Sequence, residues 1–191
     1  GDIIMSENDG NVLKSVANAG IHIVLVGIDQ LIPSIDDINT IIPLSSIYEV
    51  TKIKSKSYCT ILSKPAKTKG KQQKLYVILV DNFRSRIMEH EVQRQILTCI
   101  NCGACHSVCP VFNTIGGHVY DSAVPGPVGA VLAIAGNPEE AAHLATLCGT
   151  CRQCEQYCPM NIKISDLLLR NRVDIIKEDK SLLAERGVYN F

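Results

Sequence analysis

Along the first 81 residues the apolar positions come in short runs that read as strands: DIIMS at 2–6, IHIVLVG at 21–27, SYCTIL at 57–62 and LYVILVD at 75–81. Their length and their Ile, Val and Leu content predict buried strands. Between the second and third runs Ser34 stands as an N-cap with Asp37 three residues on, and Pro43 is expected to stop the short helix that this begins. Asp9-Gly10 within ENDGN is turn chemistry. Strands alternating with a helix suggest an α/β layer. From Lys52 to Lys74 the chain has eight lysines and no acid, which suits a solvated loop and a protected edge strand better than a docking surface for an acidic partner.

After Asp81 the period changes to that of helices. In NFRSRIMEHEVQRQILTC, Met88, Val92 and Ile96 lie four apart and predict one apolar stripe leading into Cys99. The stretch NTIGGHVYDSAVPGPVGAVLAIAG begins rich in glycine and proline and reads as a loop folding back before a short apolar helix. GNPEEAAHLATLC then starts a helix with Asn137 as N-cap, Pro138 in the first position and Glu140 in the third, and its last turn delivers Cys148. A final amphipathic helix is expected over about Ser165 to Asp179, with its leucines, Ile175 and Ile176 facing inward. The fold class predicted is α+β: a partial α/β domain at 1–82 and a helical domain at 83–191.

Totals narrow the partners. The 191 residues allow one core, or a small core plus a second reinforced module. Lys plus Arg and Asp plus Glu both count 19, so no global field favours nucleic acid, an anionic membrane or an acidic substrate, and no nucleic-acid partner is expected. IHIVLVGI is far short of the roughly 20 residues of a membrane-spanning helix, and no transmembrane segment or cleavable signal is read. A soluble, cytoplasmic chain in a reducing compartment is the expectation. Gly1 stands where an initiator methionine would be expected, and the chain reads as a fragment or a processed piece.

Eight of the nine cysteines form two matching runs. Cys99, Cys102, Cys105 and Cys109 follow C-x2-C-x2-C-x3-C-P and end at Pro110; Cys148, Cys151, Cys154 and Cys158 repeat the spacing and end at Pro159. Three thiolates two residues apart on a curled loop can grip three corners of an iron–sulfur cube, while backbone N–H groups turn toward the sulfides. In two-cluster ferredoxins the fourth cysteine of each run serves the other cluster. Applied here, Cys99, Cys102, Cys105 and Cys158 hold one [4Fe–4S] cluster, and Cys148, Cys151, Cys154 and Cys109 hold the second. Structural zinc, commonly bound by two C-x2-C pairs, leaves the third close cysteine and the terminal C-P unexplained, and disulfides between residues two apart resist direct bridging. A zinc-structured binding module remains the alternative of another class.

Other residues carry weaker signals. Cys59 reads as a buried small hydrophobe in a strand. Gly103 and Gly149 are expected to permit the close loops. His106, inside the first run, suits either a surface role or tuning of a cluster. His118 and Tyr120 could line a partner or substrate surface, whereas His22 and His143 suit packing or surface positions. No G-x-G-x-x-G, P-loop or G-x-S-x-G is present. No catalytic residue is assigned: the pattern is that of an electron relay, with two-electron chemistry left to a flavin, nicotinamide or other site on another chain.

Several stretches together resemble the lactate utilization protein B family, whose members share the lactate-utilization (LUD) domain. They are GDIIMSENDGN, HIVLVGIDQLIP, LVDNFRSRI, CINCGACHSVCPVF, IGGHVY and PGPVGAVL, then the second cysteine run and NIKISDLLLR. The double cysteine motif alone is shared with heterodisulfide reductase and succinate dehydrogenase subunits; IGGHVY and PGPVGAVL narrow the resemblance. It implies a cytoplasmic protein with a Rossmann-like LUD-type α/β domain and an α-helical ferredoxin domain. Its clusters would sit on the eight cysteines, and it would oxidise L-lactate to pyruvate together with flavin or iron–sulfur partner subunits. Where the family usually has glycine in D-N-G-R this chain has Phe83. The family also continues beyond both ends of this sequence, so an exposed sheet edge and association of the isolated chain are expected.

Overall fold

The structure is a computed structural model describing residues 1–7, 9–48, 58–65, 67–68, 70–120 and 124–178. Among these, Gly1–Asn82 with Ile100–Cys102 form one compact unit, and Phe83–Cys99 with the residues from Gly103 onward form another. Helix and strand are mixed, an α+β composition.

In the first unit the order is β1 (Ile3–Glu7), α1 (Asn11–Asn18), β2 (Ile21–Gly27), α2 (Ile38–Tyr48), β3 (Tyr58–Leu62), β4 (Lys67–Thr68), β5 (Lys71–Gln72) and β6 (Lys74–Val80). The apolar runs become strands almost where their composition places them. β1 pairs antiparallel with β3, Ile3 opposite Leu62, and β2 pairs parallel with β6, Ile21 opposite Lys74. β4 and β5 form a small antiparallel ladder across Gly70, whose φ is 77°. Lys52, Lys54, Lys56 and Lys69 of the lysine-rich stretch lie outside the described residues.

Helix α1 was not foreseen. Gly10 turns the chain with φ 76°, and the carboxylate of Glu7 at the end of β1 accepts from the N–H groups of Val12 at 2.7 Å and Leu13 at 2.9 Å. Those first-turn donors lack partners within the helix, so Glu7 is buried yet satisfied. At the other end, Gln73 Nε2 donates to the carbonyls of Val16 and Ala19, both at 2.8 Å. Ser34 caps as expected: its hydroxyl accepts from Asp36 N–H and the Asp37 carboxylate accepts from Ser34 N–H, each at 3.2 Å. Pro43, however, does not stop the helix. It lies inside α2, where its fixed φ suits a helix although its ring removes a hydrogen bond and crowds the carbonyl four residues back.

The expectation of buried strands also fails. Leu25 is 69% and Tyr76 52% exposed, and Ile23, Val77, Ile78 and Leu79 are exposed too. A parallel ladder is ordinarily covered on both faces. Here the Ile21, Ile23 and Leu25 face of β2 and most of β6 are exposed instead.

In the second unit α3 (Arg84–Glu89) is followed by a 3-10 stretch (Gln93–Thr98), α4 (Ala104–Val108), α5 (Pro110–Ile115), a 3-10 turn (His118–Tyr120), α6 (Gly126–Gly136), α7 (Pro138–Leu147), α8 (Gln153–Gln156) and α9 (Ile164–Glu178). The single helix expected before Cys99 is broken at His90, whose backbone is extended (φ −86°, ψ 111°). The break and the three-residue period beyond it change which side faces in. Ile87 and Ile96 are fully buried, whereas Met88 is 57% exposed and Val92 is exposed.

Apolar around its whole circumference, α6 runs through the middle of this unit and packs against α7, α9 and α3. Close approach needs its small residues: a Cβ at Gly129 would lie 1.5 Å from the Val124 carbonyl oxygen. Asn137 precedes α7 as expected but makes no side-chain cap bond. α9 buries Ile164, Leu167 and Leu168; the expected end at Asp179 lies outside the described residues.

Candidate metal centre

The two cysteine runs fold into the same backbone path. Asn101 and Thr150, each two residues after the first cysteine of its run, have φ of 53° and 55°; Gly103 and Arg152, each four after it, have φ of 73° and 61°. Hydrogen bonds repeat in step. His106 N–H donates to Gly103 O at 3.0 Å and Glu155 N–H to Arg152 O at 3.1 Å. Cys109 N–H donates to His106 O, and Cys158 N–H to Glu155 O, both at 3.2 Å. Two left-handed residues per loop curl the chain tightly enough to put successive thiols on its inner side. Gly103 occupies such a position, but Gly149 does not: its φ is not positive and a Cβ there would meet nothing within 4 Å. The strained positions of the second loop belong to Thr150 and Arg152, which sequence reading did not single out.

None of the nine cysteines, all within the described residues, forms a disulfide. Cys109, from the first run, lines one cavity with Cys148, Cys151 and Cys154 of the second. It encloses about 460 Å³, its open mouth included, and Tyr120, Ser165 and Leu168 contribute to its wall. Backbone donors point at the thiols. Phe112 N–H reaches Cys109 Sγ at 3.5 Å, Thr150 N–H reaches Cys148 Sγ at 3.4 Å, and Ile162 N–H reaches Cys158 Sγ at 3.4 Å. Ser165 Oγ lies 3.4 Å from Cys154 Sγ, at the start of α9.

Cys105 and Cys154, the third cysteines of the two runs, are buried, and the short helices carrying them, α4 and α8, pack on each other. Cys99 and Cys158 lie partly buried against the helical core. The 3-10 stretch leading into Cys99 runs beside the segment leaving Cys158: Lys163 N–H donates to Gln95 Oε1 at 3.0 Å, and Gln93 Nε2 to Asn171 Oδ1 at 2.6 Å. Cys102 is half-buried in its loop. Cys59 is not the buried hydrophobe expected; it is exposed on β3 opposite Ser6.

Burial raises the pKa of two of the thiols. It pushes Cys154 up to about 11, opposed by the Ser165 hydroxyl and reinforced by Cys148, Glu155 and Cys109. It raises Cys148 too, against the Thr150 N–H and the Arg172 guanidinium, with Cys109 and Cys151 adding to the rise. Tyr120, pushed up to about 12 by burial and then by Cys109, Cys148 and Cys105, stands among thiols of both runs. Cys154 and Cys148 therefore favour the protonated state, and their ligation to a metal must release protons.

An aromatic column closes this side. His106 stacks on Phe112 with ring centroids 4.9 Å apart, and Phe112 lies 6.0 Å from Tyr120. Burial lowers the His106 pKa, and a backbone hydrogen bond with Pro125 opposes that shift. IGGHVY and PGPVGAVL meet here. A Cβ on Gly117 would touch Pro125 at 3.2 Å, and one on Gly126, at φ 76°, would strike His106 Cδ2 at 2.5 Å. Tyr120 is therefore a buried wall residue and not part of a partner surface, whereas His118 is exposed. His143 is exposed on α7, and His22 lies in β2 with its Nδ1 buried.

Four thiols around a space, with N–H groups aimed at sulfur, are a donor set suited to a multi-iron cube; zinc needs its sulfurs about 2.3 Å from one point. Among the described residues no three His, Cys, Asp or Glu side chains are grouped so as to hold a metal ion. A protein-family profile described as a 4Fe-4S dicluster domain matches residues 95–162. The chain is 35% identical over 185 residues to lactate utilization protein B 1 of Bacillus mycoides, covering 96% of this chain and 38% of that protein. It is 33% identical over 190 residues to lactate utilization protein B of Bacillus cytotoxicus, covering 97% and 40%.

Over nearly its whole length this chain is similar to lactate utilization protein B.

An Escherichia coli protein described as an uncharacterized electron transport protein, YkgF, is 30% identical over 191 residues, with coverage of 98% and 38%. The chain thus spans about two fifths of the length of these lactate utilization protein B relatives. No solved structure matches it. Among the described residues no helix is long and apolar enough to cross a membrane. Sequence reading gave Ser165 and Leu168 only as parts of the final helix and did not single out Arg172 behind them. Spaced three and then four apart along α9, they share one helix face, and a cation on that apolar face was the available signal.

Proposed function

We propose that this chain is the electron-transfer part of an oxidoreductase, with Cys99, Cys102, Cys105 and Cys158 holding one [4Fe–4S] cluster and Cys148, Cys151, Cys154 and Cys109 the second. The observation carrying this reading is that Cys109 lines a cavity with the three leading thiols of the other run. The common path of the two loops extends the argument to Cys158. When bound, such a cluster takes up and gives back one electron at a time.

The residues of the chain bind and shield. Thiolates anchor the metal, N–H groups at the sulfurs offset negative charge, and the His106, Phe112 and Tyr120 column limits water beside the cavity. The substrate proposed is L-lactate. Its oxidation to pyruvate releases two electrons and two protons, which requires a flavin, nicotinamide or other two-electron site on a partner subunit, with iron–sulfur subunits carrying the electrons singly. The names of the relatives support this choice. For the first unit, the parallel β2–β6 pair and the helix in its crossover support a portion of a Rossmann-like LUD-type layer.

Anaerobic reconstitution followed by iron and sulfide quantification and EPR of the reduced protein tests the centres; zinc without iron or sulfide would remove the relay. Lactate-dependent reduction in the presence of a partner tests the substrate. Reduction driven instead by succinate or by a heterodisulfide-reductase partner would assign the chain to another oxidoreductase.

A further inference from the structure

We propose that Arg172 is a positioning residue that selectively raises the reduction potential of the centre on Cys148, Cys151, Cys154 and Cys109; this rests on the two-cluster reading above. The third turn of α9 carries the half-buried Arg172 side chain to the C-terminal end of α7. There Nε donates to Ala145 O at 3.0 Å, while Nη2 donates to Ala145 O at 2.6 Å and to Cys148 O at 2.7 Å. Carbonyls at a helix C-terminus are short of partners and carry the negative end of the helix dipole. At the end of α7 they lie at the backbone of Cys148, whose thiol enters the cavity wall. The guanidinium satisfies them and sets a fixed positive charge beside that thiol.

Charge gives the sign. Reduction adds one electron, and hence one negative charge, to the centre; a nearby cation stabilises the reduced form more than the oxidised form and raises the potential. The fork also holds the first cysteine of the loop at its height on α7. A purely structural clamp would depend on the fork and not on the charge, so lysine and glutamine replacements separate the two roles: lysine keeps the charge but lacks the planar fork.

The test uses the whole chain, reconstituted anaerobically and titrated with dithionite as electron donor while each centre is followed by EPR. Arg172→Gln is expected to lower the reduced-to-oxidised ratio of one centre about tenfold at fixed ambient potential, equivalent to about 59 mV for one electron, and to leave the other centre unmoved. Arg172→Lys is expected to keep both wild-type potentials while melting at lower temperature. Full iron content in Arg172→Gln with neither potential moved, or with both moved equally, overturns the proposal. If Arg172→Gln does not load both centres, Arg172→Lys decides: wild-type potentials support the charge role, and a shifted potential or a lost centre overturns it. Wild-type protein that takes up no iron and sulfide would sink the two-cluster reading itself, an outcome distinct from all of these.

Discussion

Cys109 and Cys148, separated by the whole connection between the two cysteine runs, line the same cavity. If they serve one centre, their losses cannot add. Cys109→Ser and Cys148→Ser are each expected to leave about half the wild-type iron and sulfide, and the double variant to leave the same half. Cys109→Ser combined with Cys99→Ser should remove nearly all of it. Metal analysis after anaerobic reconstitution checks this, and Cys109 and Cys99 behaving as members of one centre would assign each run to its own metal.

Glycine is needed at one position of the cysteine loops and dispensable at another. Gly103 has φ 73°, so Gly103→Ala should destabilise the protein by about 1–2 kcal/mol. Gly149 has open space for a Cβ, and Gly149→Ala should be neutral or stabilising by up to about 1 kcal/mol. Paired thermal melts of the metal-free variants distinguish the two.

Gly129→Ala is expected to be the most damaging single-methyl addition in the helical unit. Its Cβ would collide with the backbone at Val124 O, which cannot rotate away as a side chain can. A loss beyond about 3 kcal/mol is expected from overpacking of this kind. Urea denaturation measures it, and a loss below about 1 kcal/mol would show that α6 can slide to make room.

Alkaline pH should weaken the metal-free protein. Burial raises Cys154 from its ordinary 9.0 to about 11 and Tyr120 from 10.0 to about 12, so the folded state favours their neutral forms. The unfolded chain releases these protons first. Stability is therefore fully retained below about pH 9 and lost as pH rises through 11 and 12. Melting temperatures across this range are expected to fall, more steeply in wild type than in Cys154→Ala with Tyr120→Phe.

The open faces of the β2–β6 ladder predict self-association of the chain. Exposed Ile23 and Leu25 lie beside Tyr76 and Ile78 in the parallel register. Replacing Ile23 and Leu25 with lysine should raise the monomer fraction in sedimentation and leave iron content unchanged. A wild-type chain already monodisperse as a monomer would contradict the expectation.

Much of this organisation was legible in the residues. Strands β1, β2, β3 and β6 announced themselves as β-branched runs between turn residues, and α7 by Pro138 after Asn137, because these signals are local. The cysteine spacing was equally local. The break at His90 was not, since Met88, Val92 and Ile96 form a sound helical stripe and only packing reveals Ile87 and Ile96 as the inward pair. Thr150 and Arg152 also escaped notice: their residue types disfavour positive φ, and the loop imposes it on them. The strands read as buried because composition records what a sheet needs, whereas exposure depends on what lies against it.

The mutual packing of α4 and α8 makes the two loops one mechanical part. Ala104 and Cys105 on α4 and Cys154 on α8 are all buried. Enlargement of one half of the duplicated motif must then be met by trimming in the other. The halves can drift apart in sequence only through matched changes, like the two leaves of a hinge cut to a single pin.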